Sequence, residues 1–327
     1  MREVAVIGDG PAGSAAALAA LDLGYAVKLY SRTTRPRHRV CGEFLSPEFV
    51  RVAEALGVWS PLEAAGAAPI RWIRLHIGGK ERRYDLPENA YGLSRLRLDA
   101  VLLQVAVERG ATLVRSSPAA PSSPAVVATG RRHVSAQPRP ERLFGFKAHF
   151  RGPVDDAVEL HFFPGGYAGV SPVEGGLTNV CGIAPLQLIE TFACDFDALL
   201  AGVPSLRTRL GPLERCWDWI VTGPVCPTGL PQVHEAGRYA AGDALAFADP
   251  FTGSGLSSAL ITGRLAGRAA ARGDPVDAYY RRCRRVLGGV LRNAAWFRRI
   301  LASGWAETLA GLAPCSWLFR LTRPRVL

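Results

Sequence analysis

A glycine-rich loop near the start of the chain has the spacing of a dinucleotide-binding turn. The loop, Gly8 to Gly13, reads Gly-Asp-Gly-Pro-Ala-Gly; it follows the apolar run Glu3 to Ile7 and opens an Ala/Leu-rich stretch. In such a strand–turn–helix the first glycine permits a tight turn, the second lets a pyrophosphate approach the backbone, and the third lets the helix pack on the strand. The N–H groups at the helix N-terminus attract phosphate. We therefore predict that the phosphates are bound by Gly8, Gly10, Pro11, Ala12 and Gly13.

The residue after the second predicted strand, Tyr25 to Tyr30, departs from the usual dinucleotide pattern. An acidic residue normally stands there and binds the adenosine ribose, but this chain has Ser31 followed by Arg32. A serine hydroxyl bonds a ribose hydroxyl more weakly than a carboxylate does. Arg32 is suited to a 2′-phosphate. Both residues are predicted to contact the cofactor, and an NADP-dependent dehydrogenase stays open as one interpretation.

A second Gly/Pro-rich segment lies in the C-terminal half of the chain. It begins at Gly242-Asp243, after a short predicted strand, and continues as Asp249 to Leu256 (DPFTGSGL) into a helix. Taken alone, it is a turn that opens a helix. A nicotinamide enzyme needs only the first loop, whereas an enzyme that folds both ends of its chain around one flavin needs both. The pair of segments therefore favours a flavin site.

Composition places the chain among folded proteins and limits its partners. Of its 327 residues, 48% are hydrophobic, which suits one large domain or two closely packed ones. The formal net charge of +11 favours anionic partners, but no basic patch interleaved with aromatic residues indicates a nucleic-acid module. The seven cysteines show no C-x-x-C spacing, so we predict neither a metal site nor a disulfide framework.

The sequence shows neither a signal peptide nor a membrane span, because no uncharged apolar run reaches the ~20 residues that a span needs. We therefore expect a cytoplasmic protein. The run Tyr279 to Arg299 is basic with an apolar face. Two interpretations of it stay open. It is either a helix on an anionic membrane, giving a peripheral location, or a helix packed on the protein with its arginines in solvent. The oligomeric state is not predicted.

Four stretches resemble the FAD-dependent oxidoreductases that include geranylgeranyl reductases and the related aromatic hydroxylases (flavoprotein monooxygenases). The first is the glycine loop, and the fourth is Gly242 to Gly255. The second, Arg39 to Pro47 (RVCGEFLSP), is similar to the Cys-Gly-Gly-x-Leu-Ser-Pro run of the reductases. The third, Phe163 to Pro172 with Asn179-Val180, is similar to their Pro-x-x-Tyr-x-Trp-x-Phe-Pro…Asn-Val motif.

The resemblance implies a role for each matched position. Asp243 would bond the ribityl hydroxyls of FAD, and Arg39 and Arg95 would contact the phosphates or the ribityl chain. The N-terminus of the helix near Gly253 would lie by the flavin pyrimidine ring, where it stabilises the negative charge of the reduced form. The remaining implied cofactor contacts are Cys41, Gly42, Gly242, Pro250, Thr252, Gly253, Ser254, Gly255 and Leu256. Cys41 and Tyr167 are the candidate catalytic residues, and His161 is a weaker candidate for the pocket.

The predicted fold class is α/β: a Rossmann-like FAD-binding domain, an antiparallel-sheet substrate domain and a helical C-terminus. The FAD-binding domain is assigned to 1–70, 94–135 and 236–273, the substrate domain to 71–93 and 136–235, and the C-terminal helices to 274–327. The family's usual β-meander is predicted to be absent, because a proline-rich link of about ten residues leaves no room for a hairpin.

We predict an FAD-dependent oxidoreductase that acts on a bulky apolar substrate, an isoprenoid, polyketide or aromatic product of secondary metabolism that is free or linked to a carrier. It would use flavin-mediated hydroxylation or double-bond reduction, with NAD(P)H as the external electron donor. A non-redox cyclase or isomerase that binds FAD structurally stays open. Halogenation is disfavoured, because the chain has no Trp-x-Trp-x-Ile-Pro stretch. Aromatic residues expected to line the pocket are Phe144, Phe146, Phe162, Phe163, Tyr167, Trp217 and Trp219.

Overall fold

A computed structural model describes residues 3–33, 36–116, 124–131, 142–232, 235–302 and 323–324. The strands are β1 (Glu3–Ile7), β2 (Ala26–Tyr30), β3 (Phe44–Leu45), β4 (Ala68–Ile77), β5 (Lys80–Gly92), β6 (Thr112–Val114), β7 (Ala125–Val127), β8 (Leu143–Arg151), β9 (Ala157–Phe163), β10 (Gly166–Val173), β11 (Leu177–Pro185), β12 (Glu214–Arg215), β13 (Ile220–Thr222) and β14 (Arg238–Ala240). The helices are α1 (Pro11–Leu21), α2 (Pro47–Ala55), α3 (Trp59–Ala64), α4 (Arg95–Glu108), α5 (Leu186–Thr191), α6 (Phe196–Ala201), α7 (Pro204–Leu210), α8 (Gly255–Arg272) and α9 (Val276–Ala302).

A parallel sheet joins the two ends of the chain. Its strand order is β14-β7-β1-β2-β6, so β14 from the C-terminal half lies two places from β1. Helix α8 packs closely against α1, because a Cβ on Gly263 would lie 2.2 Å from the carbonyl oxygen of Ala12 and one on Gly267 would lie 2.1 Å from that of Ala16. This arrangement confirms the Rossmann-like domain and brings both glycine-rich segments to one edge.

The link between β6 and β7 is short, as predicted. Its described residues, Arg115, Ser116 and Pro124, belong to no strand. The remainder of the link, His133, His234 and the predicted helical residues beyond Ala302 lie outside the described residues.

A second, larger sheet forms the other layer. Its order is β12-β8-β11-β10-β9-β4-β5-β3, with β13 also pairing with β8, and its pairs are antiparallel except β4 with β9. On β8 the side chains alternate: Phe146, Ala148 and Phe150 pack under the short helices α5 to α7. Lys147 and His149 face the opposite way, toward the parallel-sheet layer. The mixed α/β fold class is thus confirmed.

The apolar face of α9 packs inward. Val286, Leu287 and Val290 are buried, whereas Trp296 is 51% exposed. Much of the apolar face expected for a membrane-bound helix is therefore already covered by the protein. Among the described residues, no helix combines the length and apolar character needed to cross a bilayer.

Candidate active site

One large cavity, of about 1360 Å³, lies between the two sheets. Ordinary small-molecule pockets measure roughly 300–1,000 Å³, so this one has room for a large cofactor together with a substrate. Its wall contains the glycine loop, the Arg39 to Phe44 segment, the turn before α8, the inner face of the large sheet and part of α9. The tertiary structure therefore gathers the four motif stretches around a single space.

The glycine loop has the shape that a pyrophosphate requires. Gly8 has a φ of 113°, and a Cβ there would lie 2.2 Å from the carbonyl oxygen of Ala128. A Cβ on Gly13 would lie 1.7 Å from the carbonyl oxygen of Gly8, whereas one on Gly10 would meet no atom within 4 Å. Gly10 thus faces open cavity at the N-terminus of α1, which suits a phosphate approaching the helix.

The adenosine end of the cavity carries a carboxylate that the sequence analysis missed. Ser31 is 2% exposed, and its Oγ donates to Asp9 Oδ2 at 2.6 Å. Thr33 Oγ1 donates to the same oxygen at 3.0 Å. Asp9, Arg32 and Thr33 line the cavity, whereas Ser31 lies behind them. A carboxylate from the middle of the glycine loop therefore lies beside the end of β2, where the acid is absent. The sequence contains Asp9, but its position at the strand end became visible only in the structure.

Asp243 has the properties expected of a ligand for hydroxyl groups. It lines the cavity, and among the described residues no hydrogen-bond partner of its carboxyl group is recorded. Burial raises the pKa of Asp243, and the charges of Arg95 and Arg131 offset only part of that effect. Asp243 is half-buried, and a carboxyl group partly removed from water without a donor is costly. The ribityl hydroxyls of FAD would supply the missing donors, so the donor set of this site fits the cofactor.

The turn before α8 is held by its own side chains and by the C-terminal end of the chain. Asp249 Oδ1 accepts from the Phe251 N–H at 3.1 Å, and Gly253 adopts a φ of 60°. Arg323 donates to the carbonyl oxygens of Thr252 at 2.7 Å and of Gly253 at 3.3 Å. No spacing in the sequence indicated this contact of Arg323.

Most of the matched turn residues face the cavity. The exception is Ser254, which is buried with its Oγ 2.7 Å from Thr252 Oγ1. The residues of the turn that line the cavity are Pro250, Phe251, Thr252, Gly253, Gly255 and Leu256.

Arg39 and Arg95 both line the cavity and share one carboxylate. Arg95 donates to both oxygens of Asp99 at 2.8 Å, and Arg39 Nε lies 3.5 Å from Asp99 Oδ2. Burial lowers the pKa of Arg95, but the charge of Asp99 outweighs this effect and raises the pKa above its usual value. Asp99 thus fixes a cationic wall, which suits an anionic cofactor.

Cys41, Gly42 and Tyr167 also belong to the wall. Burial raises the pKa of the Cys41 thiol, which favours its neutral form. The Asn179 amide donates to the carbonyl oxygens of Cys41 at 3.3 Å and of Gly42 at 3.0 Å. The Tyr167 ring lies 5.8 Å from that of Phe251. Both candidate catalytic residues are thus placed in the cavity, and their catalytic roles stay predictions.

Part of the cavity wall is apolar, and we call this part the apolar end. It is built from Ile73, Leu75, Val158, Leu160, Phe251, Leu287, Val290 and Leu291. Of the seven aromatic residues expected in the pocket, all of them described, only Tyr167 lies in the cavity wall. His161 is on the other face of the sheet, stacked on His76 at 4.1 Å. Alternation along a strand sends Phe144, Phe146, Phe163 and His161 to the face away from the cavity. Phe162 shares the face of Val158 and Leu160, and its ring lies 5.5 Å from that of Phe251 without forming part of the wall. Trp217 and Trp219 lie between β12 and β13, on no strand.

Comparisons with known proteins agree with the motifs. No family model matches the chain. Digeranylgeranylglycerophospholipid reductase 2 of Methanopyrus kandleri is 28% identical over 338 residues, covering 84% of this chain and 78% of that protein. Menaquinone reductase of Mycobacterium tuberculosis is 34% identical over 117 residues, covering 34% of this chain and 28% of that protein.

The structural comparison agrees with these relatives. The flavin-dependent brominase Bmp2 has the same fold, with a TM-score of 0.80 at 20% identity over 98% of this chain and 92% of that one. Together these findings confirm the resemblance drawn from the four stretches.

Proposed function

We propose that this chain, an FAD-dependent oxidoreductase similar to the geranylgeranyl reductases, reduces a carbon–carbon double bond of a bulky, isoprenoid-like substrate. The observation that carries the proposal is the apolar end of the cavity, which continues from the turn before α8 between the large sheet and α9. Hydrocarbon and aromatic side chains there match a hydrocarbon substrate. The digeranylgeranyl lipid and menaquinone in the names of the two relatives are of the same chemical kind.

Different residues of the cavity would bind different parts of FAD and of the substrate. The glycine loop and Asp9 would hold the adenosine diphosphate part, and Asp243 the ribityl chain. When bound, FAD supplies two-electron transfer to carbon. The N-terminus of α8 would stabilise the negative charge that develops in the reduced cofactor. The apolar end excludes water and orients the double bond.

Hydroxylation remains the second candidate reaction, because the apolar end and the Tyr167–Phe251 ring pair also suit an aromatic substrate. The two reactions differ in their need for oxygen. Reduction adds two hydrogen atoms without oxygen, whereas hydroxylation adds one oxygen atom and requires it.

The experiment begins with the absorbance spectrum of the purified protein, which we expect to show bound flavin. The protein is then reduced without oxygen and mixed with a digeranylgeranyl lipid, which has no quinone ring whose own reduction would also add two hydrogen atoms. Reoxidation of the flavin with a product two hydrogen atoms heavier supports the proposal. A product that appears only with oxygen indicates hydroxylation, a flavin that never turns over indicates the cyclase or isomerase, and a colourless protein able to use NADP indicates the dehydrogenase.

The electron donor and the location are also part of the proposal. We expect NADPH or NADH to reduce the flavin from outside, and this is measured as bleaching of the flavin in the absence of oxygen. The excess of arginine favours an anionic carrier or lipid headgroup on the substrate. The inward packing of α9 favours only weak contact with membranes, which co-sedimentation with anionic liposomes measures.

A further inference from the structure

A buried carboxylate lies directly behind the Cys41–Gly42 segment of the cavity wall. Glu43 is fully buried, and its φ of 54° lies in the left-handed region that a residue with a β-carbon rarely adopts. In the reductase run that this stretch resembles, the same position is glycine. A glutamate held at this angle indicates that its side chain has a function that outweighs the backbone strain.

Three donors meet on this carboxylate. Lys147 Nζ donates to Oε1, the Arg95 N–H donates to Oε1 at 2.5 Å, and His149 Nε2 lies 2.7 Å from Oε2. Burial opposes ionisation of Glu43, but the hydrogen bond from His149 and the charge of Lys147 outweigh it and hold the pKa of Glu43 below its usual value. An ionised carboxylate only accepts hydrogen bonds, so His149 carries a proton on Nε2.

Glu43, Lys147 and His149 form what we call the buried charge cluster. The side chains of Glu43 and Lys147 are both fully buried. Within the cluster the anion of Glu43 and the cation of Lys147 cancel each other. Removing either charged partner would leave an uncompensated charge in a region of low dielectric, where it acts over a longer distance than in water.

The cluster is packed against the flavin end of the cavity. Glu43 itself lines the cavity. The ring of the next residue, Phe44, lies 3.4 Å from the position of a Cβ on Gly253, in the turn before α8. Ser46 Oγ lies 2.8 Å from Ser257 Oγ in the first turn of α8. A change of charge at Glu43 would therefore act on the part of the cavity where the flavin ring is expected.

We propose that the buried charge cluster sets the reduction potential of the bound flavin, with Glu43 cancelling the charge of Lys147. This inference rests on the proposed function. Reduction places negative charge on the flavin, so an uncompensated cation nearby would stabilise the reduced form and weaken it as a hydride donor. A neutral cluster keeps the potential low, which suits donation of hydride to an unactivated double bond. Glu43 and Lys147 are thus positioning residues that act through charge.

The test is the midpoint potential of the bound flavin in Glu43→Gln and Lys147→Met, measured by spectroelectrochemical titration. We expect Glu43→Gln to raise the potential and Lys147→Met to lower it. For Glu43→Gln we expect the ratio of reduced to oxidised FAD at a given potential to rise about tenfold. For a two-electron couple this corresponds to a rise in midpoint potential of about 30 mV. The double variant should return close to the wild-type potential. If Glu43→Gln does not fold, Glu43→Gly removes the same charge and suits the positive φ.

A matched control lies on the other face of the same sheet. Glu159 is 2% exposed and accepts from Arg209 Nε at 2.5 Å, so Glu159→Gln removes a comparable buried carboxylate away from the cavity. We expect that variant to keep the wild-type potential. Three results in flavin-bound variants would overturn the inference and leave the proposed function intact. They are unchanged potentials, shifts of both single variants in the same direction, and an equal shift in Glu159→Gln. A wild-type protein that binds no flavin would instead overturn the proposed function.

Discussion

Asp9 in the glycine loop and Ser31 at the end of β2 are joined by a hydrogen bond of 2.6 Å between Ser31 Oγ and Asp9 Oδ2. A carboxylate between two glycines of a phosphate loop would repel the pyrophosphate if it pointed at it. Here Ser31 and Thr33 turn it toward the strand end where the ribose acid usually stands. Ser31, which the sequence suggested as a weak ribose ligand, instead holds the Asp9 carboxylate in place.

The first prediction concerns this displaced acid. Asp9→Ala should weaken FAD binding about tenfold to a hundredfold, because a hydrogen bond to a charged group contributes roughly 1.5–3 kcal/mol. Calorimetric titration of the apoprotein with FAD measures the loss. FMN has no adenosine ribose, so its affinity should stay unchanged. Ser31→Glu in the Asp9→Ala background should restore much of the FAD affinity; equal losses for FAD and FMN would contradict this assignment.

A second prediction concerns Asp243. Because its half-buried carboxyl group accepts no hydrogen bond within the described part of the chain, Asp243→Ala should strongly reduce the flavin content of the purified protein. The melting temperature of the apoprotein should stay unchanged, since only the stabilisation by bound FAD is lost. The ratio of flavin absorbance to protein absorbance measures the content. Asp249→Ala is a useful comparison, since that carboxylate already accepts from the Phe251 N–H within the turn and its loss should lower stability. Full flavin content in Asp243→Ala would contradict the assignment of Asp243 as a ligand of the ribityl chain.

The third prediction compares two glycines: substitution of Gly263 should affect the stability of the fold, and substitution of Gly10 should affect FAD binding. Gly263→Ala places a methyl group 2.2 Å from the Ala12 carbonyl, so the unfolding free energy should fall by about 1–3 kcal/mol. Gly10→Ala meets no protein atom within 4 Å. It should therefore leave the apoprotein stable but reduce affinity for FAD, because the methyl group enters the phosphate space. Denaturant unfolding and cofactor titration test both; a destabilised Gly10→Ala apoprotein would show that the loop is not open there.

A fourth prediction concerns acid stability. Burial opposes ionisation of Glu159, but the nearby His76 imidazole and the hydrogen bond from Arg209 outweigh it and lower its pKa to about 2. Burial, followed by the charge of His76, lowers the pKa of His161 to about 3. Both folded pKa values lie below the unfolded ones, so these groups stabilise the fold above pH 6.5. That stability is lost as the pH falls, first through His161 below 6.5 and then through Glu159 below 4.5.

Denaturant midpoints between pH 7 and pH 3 test this fourth prediction. Glu159→Gln should lower stability at pH 7 and flatten the decline below pH 4.5. A variant that loses stability with falling pH as steeply as the wild type would show that other carboxylates control the acid transition.

The sequence alone determined the Rossmann-like domain, the short link and the site segments. Local rules decide these features: a glycine is required where φ is positive or two backbones meet, and Pro11 and Gly10 mark the start of α1. The family resemblance followed from the same local stretches. Where motif and local structure coincide, as in the glycine loop and the turn before α8, the predicted residues surround the cavity.

Only the tertiary structure decided which side chains meet across the chain. Asp9 lies beside the end of β2, where a ribose ligand is expected, and Glu43 pairs with Lys147 on a strand over one hundred residues away. It also decided that His161 and Phe146 face away from the cavity. The physical reason is that hydrogen bonds and ion pairs between distant segments depend on strand register and on the face each strand buries. A local sequence pattern specifies neither the strand register nor the buried face.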